Sequence, residues 1–171
     1  MTEQLPIIHL RALEPEDLDS LYNIENDEDL WDVGVTNVPY SRFVLSAYIA
    51  NSTADIYADR QVRLVIEDEH HCTVGLLDIF NFDPRHSRAE VGIVVARKFR
   101  HRGYATAALL HAVDYSRKVC HLHQLYAIVD GDNAQSLQLF QKVGFTQTAS
   151  LKNWLRMGDS YRDALMMQFF L

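Results

Sequence analysis

Arg97, Lys98, Arg100 and Arg102 crowd one short stretch of a chain whose formal net charge is −7, and Gly103 follows directly. Cations at that density hold an anion, and the residues on either side say how the backbone would help. Glu90-Val91-Gly92-Ile93-Val94-Val95 reads as a buried strand ahead of the cluster, and Ala105, Ala108, Leu109, Ala112 and Val113 recur at helical spacing behind it. Strand, basic loop and helix start would bring the free N–H groups of the first helical turn to the same place as the arginines. Gly103 has no Cβ, which lets a diphosphate approach the backbone, and small Ala105 keeps the first turn clear. The same residues also fit a solvated basic turn. The loop has neither the Gly-Lys-Ser/Thr of a P-loop nor the three glycines of a dinucleotide-binding turn.

Other residue types capable of chemistry are less well arranged. His70 and His71 are adjacent and diverge on a turn, and Cys120-His121-Leu122-His123 has no fourth ligand at a plausible spacing, so no metal is expected. Cys72 and Cys120 belong to no Cys-x-x-Cys pair and read as reduced thiols of a cytosolic protein. The run Asp27-Glu28-Asp29-Leu30-Trp31-Asp32 is either a solvated helix end or an electrostatic lining for an amine.

The elements that would position the loop follow from periodicity and punctuation. Ile7 to Arg11 reads as a strand, and Glu14-Pro15-Glu16-Asp17 opens a helix that buries Leu18, Leu21 and Tyr22. Pro39 marks a loop before a helix carrying Phe43, Val44, Ala47 and Tyr48. These two helices would flank an acceptor cleft, with Trp31 and Tyr40 serving either as its apolar walls or as core. Val62, Leu64 and Ile66 form a strand that turns through Asp68-Glu69-His70-His71 into Thr73 to Phe80, an antiparallel hairpin. Asn81 to Ser87, with Pro84, reads as a loop before a strand from Ala89. After a helix from Tyr104 to about Lys118, Leu125 to Val129 is a strand parallel to the one before it, completing a β-α-β unit. Asp132 or Asn133 caps a helix from Ala134 to Val143, and Gly144 stops it. Phe145 to Thr148 resumes β structure, and Trp154 to Met157 is expected to pair with Ala164 to Met167 across Gly158-Asp159.

At 171 residues the chain suits one α/β domain over 1–171, with ordinary globular composition. Its acidic balance argues against nucleic acid as a partner and suits a cationic one. Met1-Thr2-Glu3-Gln4 lacks a basic, apolar leader pattern and no apolar run is long enough to span a bilayer, so a cytoplasmic protein with no membrane partner is expected.

Read as Arg100-x-x-Gly103-x-Ala105, the basic loop resembles the Gln/Arg-x-x-Gly-x-Gly/Ala signature of the GNAT superfamily, the acetyl-CoA-dependent N-acetyltransferases. The order of elements resembles it over nearly the full chain. Within it, four segments are similar to the branch of spermidine N-acetyltransferases and ribosomal-protein N-terminal acetyltransferases: Ser87-Arg88-Ala89-Glu90, Arg100-His101-Arg102-Gly103-Tyr104-Ala105-Thr106, Tyr126 to Asn133, and Lys142-Val143-Gly144-Phe145. The turn Gly158 to Asp163 fits as well. The resemblance implies a three-layer α/β GNAT fold with a mixed, mostly antiparallel sheet. Its two central parallel strands would splay at a bulge, for which Gly92 is suited.

The resemblance also implies roles. Acetyl-CoA would lie with its pantetheine arm along the main chain of Ile93, Val94 and Val95, its pyrophosphate within Arg100, His101, Arg102, Gly103, Tyr104 and Ala105, and Asn133 and Phe140 beside it. Glu90 stands ten residues before the first motif position, where some GNAT histone acetyltransferases carry a catalytic Glu. It is either the base, directly or through water, or a structural partner of an arginine. A backbone N–H at the bulge would hold the oxyanion. Many family members place a tyrosine acid seven residues after the matching Asn, but here that position is Phe140. Ser136, which shares a helix face with Asn133 and Phe140, is the substitute donor or else a packing residue. The acidic pair of the spermidine enzymes is replaced by Asn37-Val38 ahead of Pro39-Tyr40. The expected function is acetyl transfer to a primary amine, a small cationic amine such as a polyamine or diamine. The alternatives are a protein N-terminus or lysine as acceptor, or a non-catalytic acyl-CoA-binding module. A homo-oligomer is expected.

Overall fold

Alternating apolar residues in the first half of the chain build an antiparallel meander, because each strand can bury one set of side chains on each face of a sheet covered on both sides. The computed structural model describes residues 4–30, 38–53 and 55–171. Trp31, Asp32 and Asn37, and the expectations attached to them, lie outside the described residues.

The strands are β1 (Ile8–Ala12), β2 (Val62–Asp68), β3 (Thr73–Asp83), β4 (Arg88–Val95), β5 (Gln124–Asp130), β6 (Thr146–Met157) and β7 (Ser160–Phe170). They form one mixed, mostly antiparallel sheet in the order β1-β2-β3-β4-β5-β7-β6, with β4 and β5 its parallel pair. Helices α1 (Leu18–Glu25) and α2 (Arg42–Asn51) cover one face, where Leu21, Ile24, Leu45 and Ile49 pack on Val65 and Leu76. On the other face α4 (Tyr104–Lys118) and α5 (Ala134–Val143) bring Ala107, Ala108, Leu109, Ala112, Val113, Phe140 and Val143 against Leu77, Ile79, Val91 and Ala127. The three layers of the expected GNAT fold are present. The crossover from β4 through α4 to the parallel strand β5 places the basic loop at the C-terminal end of β4. On the α1 side, Arg63 of β2 bonds Asp78 of β3 at 2.6 and 3.0 Å and Glu25 of α1 at 2.5 Å, tying that helix to the sheet.

Several details depart from the sequence reading. A short helix α3 (Ile56–Asp59), capped by Asp55, precedes β2 and buries only Ile56, too brief to show a period. Strand β3 runs on to Asp83, so the expected loop shrinks to the turn at 84–87. The closing hairpin has a different register: the tight Gly158-Asp159 turn forces Met157 opposite Ser160 and Leu155 opposite Arg162. Two extra residues in β6 between Leu151 and Leu155 then shift the register, so Ala164, Leu165 and Met166 pair with Leu151, Ser150 and Ala149. On α2, Leu45 and Ile49 are buried while Phe43 is 82% exposed, because the helix rests on its other stripe.

No bulge occurs at Gly92. The β3–β4 register is unbroken from Gly75 opposite Val95 to Phe80 opposite Glu90, and the irregularity falls between Phe80 and Asp83, where β3 carries one extra residue. Even so, β4 and β5 separate. They pair only at Arg88–Gln124, Ala89–Leu125 and Glu90–Tyr126. Beyond that point β4 keeps to β3 and β5 keeps to β7, whose register is unbroken from Gln124 to Asp130, and the opposed commitments of the two half-sheets open the gap.

Candidate active site

The register fixes which backbone groups face the gap. Ala96 N–H bonds the Val74 carbonyl, so alternation along an antiparallel pair turns the main-chain groups of Val94 and Gly92 toward β3 and those of Val91, Ile93 and Val95 toward β5. On the other wall, Leu171 N–H bonds the His123 carbonyl, and the same count turns Tyr126, Ile128 and Asp130 toward β4. Val91 N–H and Tyr126 still close the last rung of the β4–β5 ladder, and beyond it the gap is lined by amides and carbonyls of Ile93, Val95, Ile128 and Asp130 without a strand partner. Of the three residues expected along a pantetheine arm, Ile93 and Val95 offer main chain to it. Val94 does not, since its amide belongs to the β3 ladder and its side chain packs toward α1 and α2.

Arg100, His101, Arg102 and Gly103 sit at the mouth of the gap. The Arg100 Nε donates to the Val95 carbonyl at 2.9 Å, closing the end of β4, while its Nη2 is buried without a hydrogen-bond partner among the described residues. Asp27 lies 3.8 Å away, beyond hydrogen-bond reach, so this buried guanidinium nitrogen suits a further anionic group. In α4 the first helical bond runs from Ala107 N–H to the Gly103 carbonyl, which leaves the Tyr104, Ala105 and Thr106 amides for a ligand. His101 Nδ1 lies 3.4 Å from Gln135 Nε2 of α5, so the two helix starts face each other across the mouth. These features fit a diphosphate joined to an extended arm, as acetyl-CoA presents.

Gly103 is also required by the protein's own backbone: its φ is +83°, and a Cβ there would meet Pro6 Cδ at 3.0 Å. The acidic run also has a specific role. Arg97 pairs with Asp29, and Asp27 lies 3.8 Å from both Arg97 and Arg100, so these carboxylates compensate the basic loop instead of lying free in solvent. Tyr40 is held at its backbone by Asn26, at 2.7 and 3.1 Å, and packs with the α1–α2 cluster.

On the α5 side Asn133 is the N-cap, its Oδ1 accepting from Ser136 N–H at 3.0 Å. Asn133 and Ser136 are half-buried. Phe140 is buried in the core, its ring edge-on to Phe145 at 5.0 Å between centroids.

Glu90 stands at the base of the gap, the last residue of β4 that still faces a β5 partner. Its side chain shares the α1–α2 face with Val94, and Gly92 between them adds no side chain there. Burial pushes the Glu90 carboxyl up from the ordinary carboxylate range. Donors from the Asn81 amide, the Ile128 backbone N–H and the Tyr126 hydroxyl partly offset this. Asn81 Nδ2 donates to Glu90 Oε2 at 2.9 Å. No Glu90–Arg88 ion pair forms, because Arg88 bonds Asp83 at 3.2 Å. Asn81, a polar residue after a strand, carries no motif, and Tyr126 opens a family-like segment that attaches no role to its side chain.

Both cysteines are free, Cys72 exposed and Cys120 buried. Among the described residues no cluster of His, Cys, Asp and Glu could hold a metal ion, and no helix is long and apolar enough to cross a membrane.

Comparison with known proteins agrees with this geometry. A family model described as an acetyltransferase (GNAT) domain matches residues 8–146. The spermidine N(1)-acetyltransferase of Escherichia coli (strain K12) is 29% identical over 163 residues, covering 95% of this chain and 86% of that protein. Among solved structures, the spermidine N-acetyltransferase from Vibrio cholerae in complex with CoA and spermine superposes with a TM-score of 0.84 at 26% identity, covering 95% of each chain. A dodecameric structure of the Vibrio cholerae enzyme gives 0.79 at 26%, covering 95% of this chain and 93% of that one.

Proposed function

The chain belongs to the GNAT acetyltransferase family and is an acetyl-CoA-dependent acyltransferase, and from that premise we propose that its acceptor is a small linear polyamine. The observation that carries this reading is Glu90. It is a half-buried carboxylate with a raised pKa, set on the α1–α2 face where β4 and β5 part. An ammonium group drawn there loses a proton to Glu90, with an N–H bond broken and an O–H bond formed, and the resulting neutral amine is the nucleophile. The thioester supplies the acetyl group. The amine's second proton leaves as the C–N bond forms and reaches the departing sulfur through Ser136, while the proton on Glu90 returns to water. Asn133 holds Ser136 in place through the cap, and the amide of Ile93, beyond the last β4–β5 rung, is available to the carbonyl oxygen. The net charge of −7 and the two Vibrio and Escherichia relatives named above support a cationic acceptor.

The same reading places the enzyme in the cytosol, where unpaired thiols stay reduced, and gives it a self-assembled form, supported by the dodecameric relative. The test is thiol release from acetyl-CoA with spermidine, spermine, shorter diamines, monoamines and peptide N-termini. Triamines and tetramines should exceed monoamines in kcat/KM by at least about tenfold, the value of one well-placed charge contact. Preference for a peptide N-terminus overturns the acceptor assignment.

A further inference from the structure

Three polar groups from two strands meet on Glu90, and a backbone irregularity is what aims one of them. The extra residue in β3 lies between Phe80 and Asp83, and Asn81 there has φ +49°, a left-handed conformation that asparagine tolerates better than most residues. The kink turns the Asn81 amide onto Glu90 Oε2. From the opposite side, on β5, Tyr126 is paired with Glu90, and its hydroxyl and the Ile128 N–H, left without a strand partner by the parting of the strands, pull the pKa of the same carboxylate back down.

We infer that Asn81 and Tyr126 are positioning residues for acetyl transfer, holding the Glu90 carboxylate at the base of the gap and in its ionised, proton-accepting form. The inference rests on the reading of Glu90 as the base. The phenol keeps its proton at neutral pH, because burial and then the Glu90 charge push its pKa up, so toward the carboxylate it acts as a donor. Of the charged groups nearby, Arg88 of β4 is bonded to Asp83 of β3, and Asp78 of β3, on the face of Glu90, is bonded to Arg63 of β2. On β7 the residue facing Tyr126 is the neutral Gln168, bonded to Gln124 at 2.6 Å.

Each donated bond favours the charged carboxylate, so its removal must raise the pH at which Glu90 ionises. Activity that needs ionised Glu90 is present above that pH and lost as pH falls through it. Tyr126→Phe and Asn81→Gly, the latter compatible with the left-handed backbone, should therefore both move the acidic limb of the kcat/KM profile upward. At a pH on that limb the loss should be about three- to tenfold, one hydrogen bond's worth, with the high-pH plateau nearly kept. Asn81→Asp should move it further, because a second carboxylate then faces the first.

A second measurement needs no turnover. The 13C shift of the Glu90 carboxyl, assigned by its loss in Glu90→Gln, is titrated in the unliganded protein and each variant. Parallel upward shifts in titration and kinetics support the inference. A variant that lowers the plateau while leaving both midpoints unchanged shows a merely structural residue and overturns it. If Glu90→Gln keeps the acidic limb, the assignment of the base fails instead, and the carboxyl titration alone decides whether Asn81 and Tyr126 control Glu90.

Discussion

The two ends of β4 serve the site by different means. Beyond Val91 the strand has lost its β5 partner, and its contribution is unpaired main chain together with the amides that open α4. At Glu90 the strand is still paired on both sides, and the contribution is a side chain held by Asn81 and Tyr126. A main-chain site tolerates many side chains and depends on backbone shape, whereas a side-chain site depends on atoms that one substitution removes. The cofactor half should therefore fail through geometry and the acceptor half through chemistry.

The largest separation of the two comes from Glu90→Gln. Turnover should fall by about a hundredfold or more, the usual contribution of a general base, while acetyl-CoA affinity measured by calorimetry is unchanged. Raising the pH should recover part of the loss, since more acceptor is then already neutral. Equal losses of binding and turnover would make Glu90 structural.

Gly103→Val tests the geometric half. The φ of +83° and the contact with Pro6 make it a backbone defect, so acetyl-CoA binding and stability should fall together. Roughly 1–3 kcal/mol is expected in urea unfolding. Weak binding at full stability would restore the view that the glycine only clears space for phosphate.

Ser136 and Phe140 probe the border between the halves. Ser136→Ala should lower kcat by about tenfold or less, because a thiolate is already a fair leaving group. Phe140→Tyr should hold or raise kcat and weaken the effect of Ser136→Ala, as two donors serving one sulfur do not add. Phe140 is 4% exposed, so a hydroxyl that fails to reach the site would be buried without a partner and would lower the melting temperature. A strictly additive cycle with Ser136→Ala silent would remove the serine from the reaction.

The smallest effect is a gain. Asp29→Asn frees Arg97, and CoA should bind about two- to threefold tighter at low salt, the advantage fading as salt is added. No change would mean that Arg97 does not share its charge with the diphosphate.

The sequence was legible where local rules act alone. Arg100-x-x-Gly103-x-Ala105, the helical spacing from Ala105 to Val113 and the Asn133 cap each depend on neighbours in the chain, and the structure has the strand, loop and helices where they imply. The chain order of strands and helices followed from the same signals, and the family was reached by resemblance to that order and to the quoted segments. Other features depended on partners far along the chain. The opening between β4 and β5 arises because β3 and β7 hold them to different half-sheets, not from Gly92. The bulge that aims Asn81 is a mismatch in length between β3 and β4, which neither strand records by itself. Asp27 and Asn81 acquire their roles only when the fold sets them beside Arg97, Arg100 and Glu90. Periodicity and caps are written into consecutive residues, whereas strand register and the pairing of charges are decided by which distant segments pack together.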